Sequence, residues 1–230
     1  MMLKGDCLEL LKDVEGVGCW VWDPPYNINF NYGDGFKDEI ESYPDWIEKV
    51  SSEMFDSSCN DSNLFFIHYA EDCARLLNRI ESSGWVLNQW MTWVYPSNFG
   101  HSKNKFTRGS RAILWFTKGQ PYFEHRELKP YKNQNDKRIK KLMESGRKGV
   151  AHYDWLEINL VKNVSKEKRY VNQIPEALIQ ILISNVMVDN MKVGDPTCGS
   201  GSTCRVAKRL GLDYWGCDLN DLAVECWGDL

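Results

Sequence analysis

The chain has 230 residues, of which 43% are hydrophobic, and this is enough to bury the core of one large domain. A disordered chain and a membrane protein are excluded, because the composition is apolar enough to fold and no apolar run approaches the roughly 20 residues of a membrane span. The N-terminus lacks the layout of a signal peptide, so we expect a cytoplasmic protein.

The net charge of −4 hides an uneven distribution along the chain. Residues 1–90 carry a net charge of −11, residues 91–170 carry +11 and residues 171–230 carry −4. A basic middle region in an acidic chain suggests a local anionic partner such as nucleic acid. A solvated lysine-rich insertion is the alternative, and charge alone does not separate the two.

The cysteines and histidines do not form a metal-binding pattern. The eight cysteines contain no C-x-x-C pair, and the four histidines lie far apart in the sequence. Structural zinc usually needs four such ligands in close pairs. We therefore predict no metal site, and thiols that stay reduced.

Short runs of β-forming residues recur along the chain, with helix-like stretches between many of them. The predicted strands lie near residues 2–4, 17–22, 63–67, 86–95, 111–117, 191–194 and 214–217. Apolar residues have near-helical spacing over 37–56, and Pro175 suits the first turn of a helix reaching about Val188. The pattern predicts an α/β domain of about seven strands, interrupted by a basic segment at 125–148.

The first chemical motif is "WVWDPPY", in which a strand-like run ends at Asp23. This position places a carboxylate at the carboxyl edge of a sheet, where open α/β folds bind ligands. Pro24 and Pro25 stiffen the turn and have no N–H, so the outward polar groups are mostly acceptors. Acceptors beside the ring of Tyr26 suit a planar group with an exocyclic amine. A surface turn capped by Asp23 is the structural alternative.

The second motif is "VGDPTCGSGSTCRVAKRLG", which runs from a strand ending at Asp195 through Gly199 and Gly201 into a helix-like stretch. Such a loop lets a ligand approach the backbone, and the helix N-terminus favours an anionic group. It lacks the Gly-Lys-Ser/Thr of a P-loop and the third glycine of the dinucleotide fingerprint. Asp218 closes another apolar run 23 residues after Asp195, the spacing at which an acid commonly meets ribose hydroxyls. Asp6, considered alone, is more typical of a helix cap than of a ligand contact.

The early "DPPY" and the late "DPTCGSGS" together resemble the β-class amino-methyltransferases of DNA, in which the catalytic motif precedes the cofactor motif. The resemblance covers most of the chain. It implies the Rossmann-like fold of S-adenosylmethionine-dependent methyltransferases, with a mostly parallel sheet flanked by helices. It also implies methyl transfer from S-adenosylmethionine to the N6 amine of adenine in double-stranded DNA, after base flipping. A cognate restriction endonuclease and a homodimer are further partners that the resemblance allows.

The resemblance assigns roles to individual residues. Those implied to hold the target base are Asp23, Pro24, Pro25 and Tyr26. Those implied to hold the cofactor are Asp6, Cys7, Asp23, Gln173, Pro175, Asp195, Pro196, Thr197, Gly199, Gly201, Ser202, Asp218 and Leu219. Among these, Asp218 would take the ribose hydroxyls and Asp6 would approach the adenine of the cofactor. Thr197 stands where relatives often carry an aromatic residue, which predicts reduced stacking on the cofactor.

The basic segment lies where the family carries its target-recognition insertion. Most of its charges are expected to contact phosphates, because base edges are read by only a few side chains. The candidate DNA-binding residues are Lys103, Lys105, Arg108, Arg111, Arg126, Lys129, Lys132, Lys137, Arg138, Lys140, Lys141, Arg147 and Lys148. We therefore expect a catalytic half at 1–118, a recognition insertion at 119–165 and a cofactor-binding half at 166–230.

Other functions remain open on the sequence alone. Cytosine N4, RNA or a protein glutamine amide would present a planar nitrogen to a similar motif, whereas a nicotinamide-dependent oxidoreductase would leave "DPPY" without a role. A non-catalytic DNA-binding protein with a vestigial cofactor site is the alternative from another class. Asp23, where cytosine-N4 members often carry serine, favours adenine, and the intact set of acids and glycines favours an enzyme.

Overall fold

The computed structural model describes residues 1–33, 35–96, 100, 102–126, 128–162, 165–166 and 169–228, which form a central sheet between two layers of helices. The strands are β1 (Met2–Lys4), β2 (Val17–Trp22), β3 (Ser58–His68), β4 (Val86–Val94), β5 (Ser110–Lys118), β6 (Leu128–Lys129), β7 (Val150–Ala151), β8 (Trp155–Glu157), β9 (Lys192–Asp195) and β10 (Asp213–Asp218). The helices are α1 (Cys7–Leu10), α2 (Tyr43–Asp56), α3 (Ala70–Ser82), α4 (Lys137–Glu144), α5 (Glu176–Val186), α6 (Ser202–Arg209) and α7 (Asp221–Val224). In the described part of the chain, no helix combines the length and apolar character needed to cross a bilayer.

Eight of the strands form one sheet in the order β1-β10-β9-β2-β3-β5-β4-β8. Every neighbouring pair is parallel except the two pairs of β5, which runs antiparallel to both β3 and β4. The carboxyl ends of β1, β10, β9, β2 and β3 therefore lie along one side of the sheet, which we call the carboxyl edge. Strand β5 begins at this same edge, since Ala112 pairs with His68 at the end of β3.

The alternation of side chains along β2 explains how the sheet is held between its two helix layers. Trp20 and Trp22 pack in a core that includes residues of α2 and α3, whereas Cys19 and Val21 pack in a second core with residues of α5 and α6. All six residues of β2 are buried. Burying one large apolar side chain contributes roughly 1.5–3 kcal/mol. The strand that ends at Asp23 is thus anchored from both faces of the sheet.

Helix α2 begins at Tyr43, later than the 37–56 stretch of helical spacing suggested. The residues before it belong to an extended loop that follows the "DPPY" turn. Buried Asp38 holds this loop, because its carboxylate accepts hydrogen bonds from the backbone N–H groups of Ile28 (3.3 Å) and Phe30 (2.5 Å). The loop lies along the wall of the cavity described below.

The predicted fold class is confirmed, and all seven predicted strands are present in the main sheet with small differences in their bounds. The eighth strand, β8, was not predicted, because its residues were assigned to the recognition insertion at 119–165. It pairs with the end of β4, where Thr92 faces Trp155. Part of the predicted insertion thus forms the edge of the sheet, and the division into three segments remains a prediction.

Candidate active site

A cavity of about 610 Å³ opens at the carboxyl edge, where β1, β2, β9 and β10 end. The predicted base and cofactor residues that line it are Asp6, Cys7, Asp23, Pro24, Pro25, Tyr26, Gln173, Asp195, Pro196, Thr197, Gly199, Ser202, Asp218 and Leu219. Pro175 and Gly201, two further predicted cofactor residues, do not line it. Pro175 is instead the N-cap of α5, and Gly201 is the N-cap of α6 with a φ of 83°.

Asp23 lies directly after β2 and faces the cavity. Its Oδ1 accepts a 2.6 Å hydrogen bond from the hydroxyl of Tyr26, whereas its Oδ2 has no hydrogen bond from any described residue. Burial raises the pKa of Asp23 to about 6, although the Arg111 guanidinium and the Tyr26 hydroxyl act in the opposite direction. One carboxylate oxygen is therefore fixed and the other is open to a ligand.

The ring of Tyr26 is buried behind the "DPPY" turn rather than free in the cavity. It stacks on His68, with ring centroids 4.0 Å apart, and meets the ring of Tyr69 edge-on at 4.7 Å. Its hydroxyl is directed at Asp23. The expectation that Tyr26 stacks on a target base remains a prediction, and one of its faces is already covered by His68.

A chain of hydrogen bonds through His68 and Tyr43 fixes the backbone of the "DPPY" turn. His68 Nδ1 accepts from the backbone N–H of Tyr69 at 2.8 Å, so Nε2 carries the proton and donates to the Tyr43 oxygen at 3.1 Å. Tyr43 in turn donates to the Pro25 carbonyl at 2.7 Å. Burial lowers the pKa of His68 to about 4, which keeps the imidazole neutral. The chain occupies the Pro25 carbonyl, and no described residue donates to the Pro24 carbonyl.

Two acids shape the glycine loop after β9. Asp195 accepts hydrogen bonds from the Thr197 N–H (3.2 Å) and the Thr203 hydroxyl (2.6 Å), which tie the start of the loop to α6. Asp218 accepts from the Gly199 N–H at 2.8 Å, and Gly199 has a φ of 50°, in the left-handed region that favours glycine. The loop is therefore held open by the two acids at the ends of β9 and β10.

The two loop acids also set the electrostatics of the cavity. Burial raises the pKa of Asp195 to about 7, against the opposing hydrogen bonds from Thr203 and Thr197. Burial likewise raises the pKa of Asp218, although three backbone N–H groups oppose the shift. Both shifts have the sign expected for carboxylates that lack a neighbouring cation. The site therefore suits a ligand that brings positive charge and hydroxyl donors.

Asp6 serves as the N-cap of α1, as the sequence indicated. Its Oδ1 accepts a 2.9 Å hydrogen bond from the Leu8 N–H, and it also lines the cavity at the end of β1. Sequence reasoning missed Tyr170 and Asn220, which line the same wall. The Asn220 amide donates to the Tyr170 hydroxyl at 2.7 Å. Tyr170 follows the basic segment without any motif around it, so no signal pointed to it.

Arg111 was predicted to bind DNA, and this role stays a prediction, but the structure places its side chain in the cavity rather than on the exposed surface. Its side chain is only 11% exposed and lies in the cavity, 3.6 Å from Asp23 Oδ1. The reason is topological, because the antiparallel strand β5 starts at the carboxyl edge instead of ending there. Sequence charge placed Arg111 in the basic region but could not give its direction.

The remaining predicted DNA-binding residues lie mostly at the surface. Arg108 pairs with Glu71 at 2.9 Å and lies over the ring of Tyr69, and Arg126 pairs with Glu124 at 2.8 Å. Lys129 lies 4.8 Å from the ring centroid of Trp155. The exposed members are Lys103, Lys105, Lys132, Lys137, Arg138, Lys140, Lys141, Arg147 and Lys148. They form a basic surface on the 102–109 loop and on and around α4.

Comparisons with known proteins agree with this geometry. The Type II methyltransferase M1.MboII of Moraxella bovis is 30% identical over 94% of this chain and 90% of its own length. M.BglII of Bacillus subtilis, another Type II methyltransferase, is 29% identical over 96% of this chain, which spans only 66% of that protein.

Solved structures show the same fold. The M1.HpyAVI complex with S-adenosylmethionine has a TM-score of 0.70, with 18% identity over 98% of this chain and 96% of its own. The cytosine-N4-specific PvuII DNA methyltransferase has a TM-score of 0.72, with 17% identity over 99% of this chain and 86% of its own. The predicted S-adenosylmethionine-dependent methyltransferase fold is thus confirmed. A family model described as DNA methylase, for the N6 and N4 methyltransferases, matches residues 17–226, and the chain therefore belongs to this DNA methylase family.

Proposed function

We propose that this chain transfers a methyl group from S-adenosylmethionine to the N6 amine of an adenine that has been flipped out of double-stranded DNA. The observation that carries the proposal is a shared cavity. The "DPPY" turn and the glycine loop come from adjacent strands, β2 and β9, and both line the same space. The Thr197 hydroxyl bridges them by donating to the Asp23 carbonyl at 3.3 Å.

The residues of the cavity fit the cofactor. S-adenosylmethionine carries a positive amino group, a positive sulfonium and two ribose hydroxyls, and the Asp195 and Asp218 carboxylates of the cavity form no ion pair with a described residue. Asp195 lies at the loop end that would meet the methionine portion, Asp218 would accept from the ribose, and Asp6 lies beyond it at the end of β1. These assignments follow the sequence resemblance, and the donor set of the cavity supports them.

The chemistry requires an acceptor for the target amine, because its lone pair is delocalised into the ring. The bound cofactor supplies a methyl group already activated for attack, so alignment provides much of the rate. Asp23 Oδ2 and the Pro24 carbonyl are the acceptors that hold the two N–H hydrogens and draw the nitrogen toward tetrahedral geometry. Transfer would break the bond between the methyl carbon and the cofactor sulfur, leave a neutral thioether and form the C–N bond. The amine nitrogen would then lose one proton, which the Asp23 carboxylate can receive.

Adenine is favoured over cytosine by the residue at position 23. Asp23 offers a charged acceptor where cytosine-N4 members of the resembled class often carry serine. The target atom lies inside the duplex, so flipping costs a few kcal/mol before transfer. The basic surface on the 102–109 loop and α4 supports DNA as the substrate, because exposed cations there can contact phosphates.

The test is methyl transfer from tritiated S-adenosylmethionine to mixed-sequence duplex DNA, followed by digestion and chromatography of the nucleosides. Label in N6-methyl-2′-deoxyadenosine supports the proposal, and label in N4-methyl-2′-deoxycytidine would identify cytosine rather than adenine as the target. Absence of transfer, with cofactor binding retained, would indicate a DNA-binding protein with a vestigial site. A parallel reaction with duplex RNA tests whether the chain methylates RNA instead of DNA. Sequencing of methylated bases in DNA from cells expressing the chain then gives the recognition sequence.

A further inference from the structure

Arg111 has an environment that its place in a basic surface region does not explain. Its guanidinium lies near three aromatic rings, 5.0 Å from the ring centroid of Tyr26, 5.2 Å from Trp93 and 6.0 Å from Tyr69. Its Nε is buried and has no hydrogen-bond partner among the described residues. A cation enclosed in this way requires a counter-charge, because an unpaired buried charge is strongly destabilising.

The carboxylate that pairs with Arg111 is that of Asp23. The NH1 group of Arg111 lies 3.6 Å from Asp23 Oδ1, the same oxygen that accepts from Tyr26. Both contacts therefore act on one oxygen of a carboxylate that lines the cavity, and Oδ2 has no donor among the described residues. Trp93 is fully buried and Tyr26 is held by His68, so the guanidinium is enclosed by side chains that are themselves fixed.

We propose that Arg111 is a positioning residue that keeps the Asp23 carboxylate ionised and oriented for methyl transfer. The inference rests on the proposed function, because it deepens the role given there to Asp23. It adds a cation to a site in which the sequence motifs identified only acceptors. Arg111 acts through Asp23 and is not assigned a contact with the base or with a phosphate.

The charges that face Asp23 come from several elements. The hydroxyl of Tyr26 and the guanidinium of Arg111 favour the ionised carboxylate, whereas burial opposes it. Tyr32 and Tyr43 face it as neutral phenols, and Asp195 faces it with negative charge when ionised. Among these groups Arg111 supplies the positive charge. Replacing it with a neutral side chain must therefore raise the pKa of Asp23 above its value of about 6.

The decisive experiment measures kcat against pH from 5 to 9.5, with saturating cofactor and DNA, for the native chain, Arg111→Met and Arg111→Lys. We expect Arg111→Met to move the acid limb upward by one pH unit or more. At pH 6.5, which lies above the native pKa of about 6, a shift of one unit lowers the ionised fraction about threefold and a shift of two units about 25-fold, with recovery toward pH 9. Arg111→Lys keeps the charge without the planar guanidinium, so we expect its acid limb to lie between those of the native chain and Arg111→Met. Arg79→Met removes an arginine that pairs with Glu48 on the surface, and it should leave the limb unchanged.

A second readout does not need activity. In protein with ¹³C-labelled aspartate carboxyl groups, the Asp23 resonance, identified by its loss in Asp23→Asn, should titrate at higher pH in Arg111→Met and Arg111→Lys than in the native chain. If this shift occurs but the native chain methylates no DNA, the pairing stands and the proposed function fails. An unmoved Asp23 titration, or a loss of kcat that is equal at every pH, would overturn the inference. A change confined to the salt dependence of DNA affinity would do the same, since it would make Arg111 a phosphate contact.

Discussion

Asp23 illustrates how a single carboxylate can be held and left available at the same time. The Tyr26 hydroxyl donates to Oδ1 and the Arg111 guanidinium lies 3.6 Å from the same oxygen, while Oδ2 has no donor among the described residues. The Pro25 carbonyl is taken by Tyr43, whereas the Pro24 carbonyl has no described donor. The turn thus presents two adjacent acceptors to the cavity, which matches the two N–H hydrogens of an exocyclic amine.

The first prediction at this scale concerns catalysis. We expect Asp23→Ala to abolish detectable methyl transfer while leaving the affinity for S-adenosylmethionine within a few-fold, because Asp23 holds the amine rather than the cofactor. Transfer is measured with tritiated cofactor, and affinity by calorimetry. Asp213→Ala, an exposed aspartate at the opposite end of β10, is the control and should retain turnover. Near-normal turnover of Asp23→Ala would remove Asp23 from the mechanism.

The second prediction concerns the cofactor. We expect Asp218→Ala to weaken S-adenosylmethionine binding by roughly 1.5–3 kcal/mol, the range for hydrogen bonds to a charged group. Asp218 also accepts from the Gly199 N–H, so part of the loss comes from a loosened glycine loop. Asp218→Asn keeps one carbonyl acceptor and should lose less. Calorimetry on both variants checks this, with Asp213→Ala as the control on the same strand, and unchanged affinity in a folded Asp218→Ala would exclude the role.

At the scale of elements, α4 has no buried residue, and four of its eight residues are lysine or arginine. This positive charge needs a functional explanation. Asp136 caps its N-terminus by accepting from the Arg138 N–H at 2.8 Å, so the helix is locally stabilised without packing on the core. A capped, basic and unburied helix is suited to contact with the sugar-phosphate backbone. The same helix would have no role in a protein that acts on a small molecule.

The third prediction tests this helix. Neutralising Lys137, Arg138, Lys140 and Lys141 together to glutamine should weaken DNA binding on all sequences. It should also flatten the slope of log affinity against log salt by about one unit for each lost phosphate contact. The measurement is DNA affinity over a range of salt concentrations. The control removes the same charge from exposed positions on other elements: Lys12, Lys49, Arg75 and Lys208. Equal affinity and slope in both variants would show that α4 is only a solvated surface.

Most of the strands and the two motif loops could be predicted from the sequence, and the physical reasons differ between elements. The buried strand β2 and the loop after β9 carry strong local signals, namely an apolar run ended by an acid and paired glycines. Strand β8 lacks both signals, whereas β1, which is equally short, is followed by Gly5 and Asp6. Tyr170 is a lone tyrosine without a spacing partner. The side of the molecule on which Arg111 lies depends on the antiparallel direction of β5, which is a tertiary property.

At the scale of the whole molecule, the buried acids link proton binding to cofactor binding. The folded pKa of Asp195, about 7, lies above its ordinary value near 4, so the folded state binds more protons than the unfolded state between these values. The contribution of Asp195 to stability is therefore greatest at low pH, and it is lost as pH rises from about 4 to about 7. A bound cation would lower this pKa and so reduce the loss of stability.

The fourth prediction follows from that sign. Affinity for S-adenosylmethionine should increase as pH rises from 5.5 to about 7.5 and then level off, with net proton release at pH 6.5. Calorimetry in two buffers of different ionisation enthalpy measures the released protons. Asp195→Asn should release fewer protons, because the main titrating group has been removed. Proton uptake on binding, or release that is equal in both proteins, would contradict the assignment of Asp195 to the cationic end of the cofactor.

The position of β2 between β3 and β9 also has a consequence for how the chain folds. Its partner on one side, β3, follows within the next 46 residues, but its partner on the other side is synthesised some 170 residues after it. Until β9 is made, one flank of a strand whose six residues are all buried in the final fold stays unpaired and apolar. Such an edge invites association with other chains. Closing this pairing brings together segments far apart in the chain and carries a large loop entropy, so we expect β2 and β9 to pair late in folding.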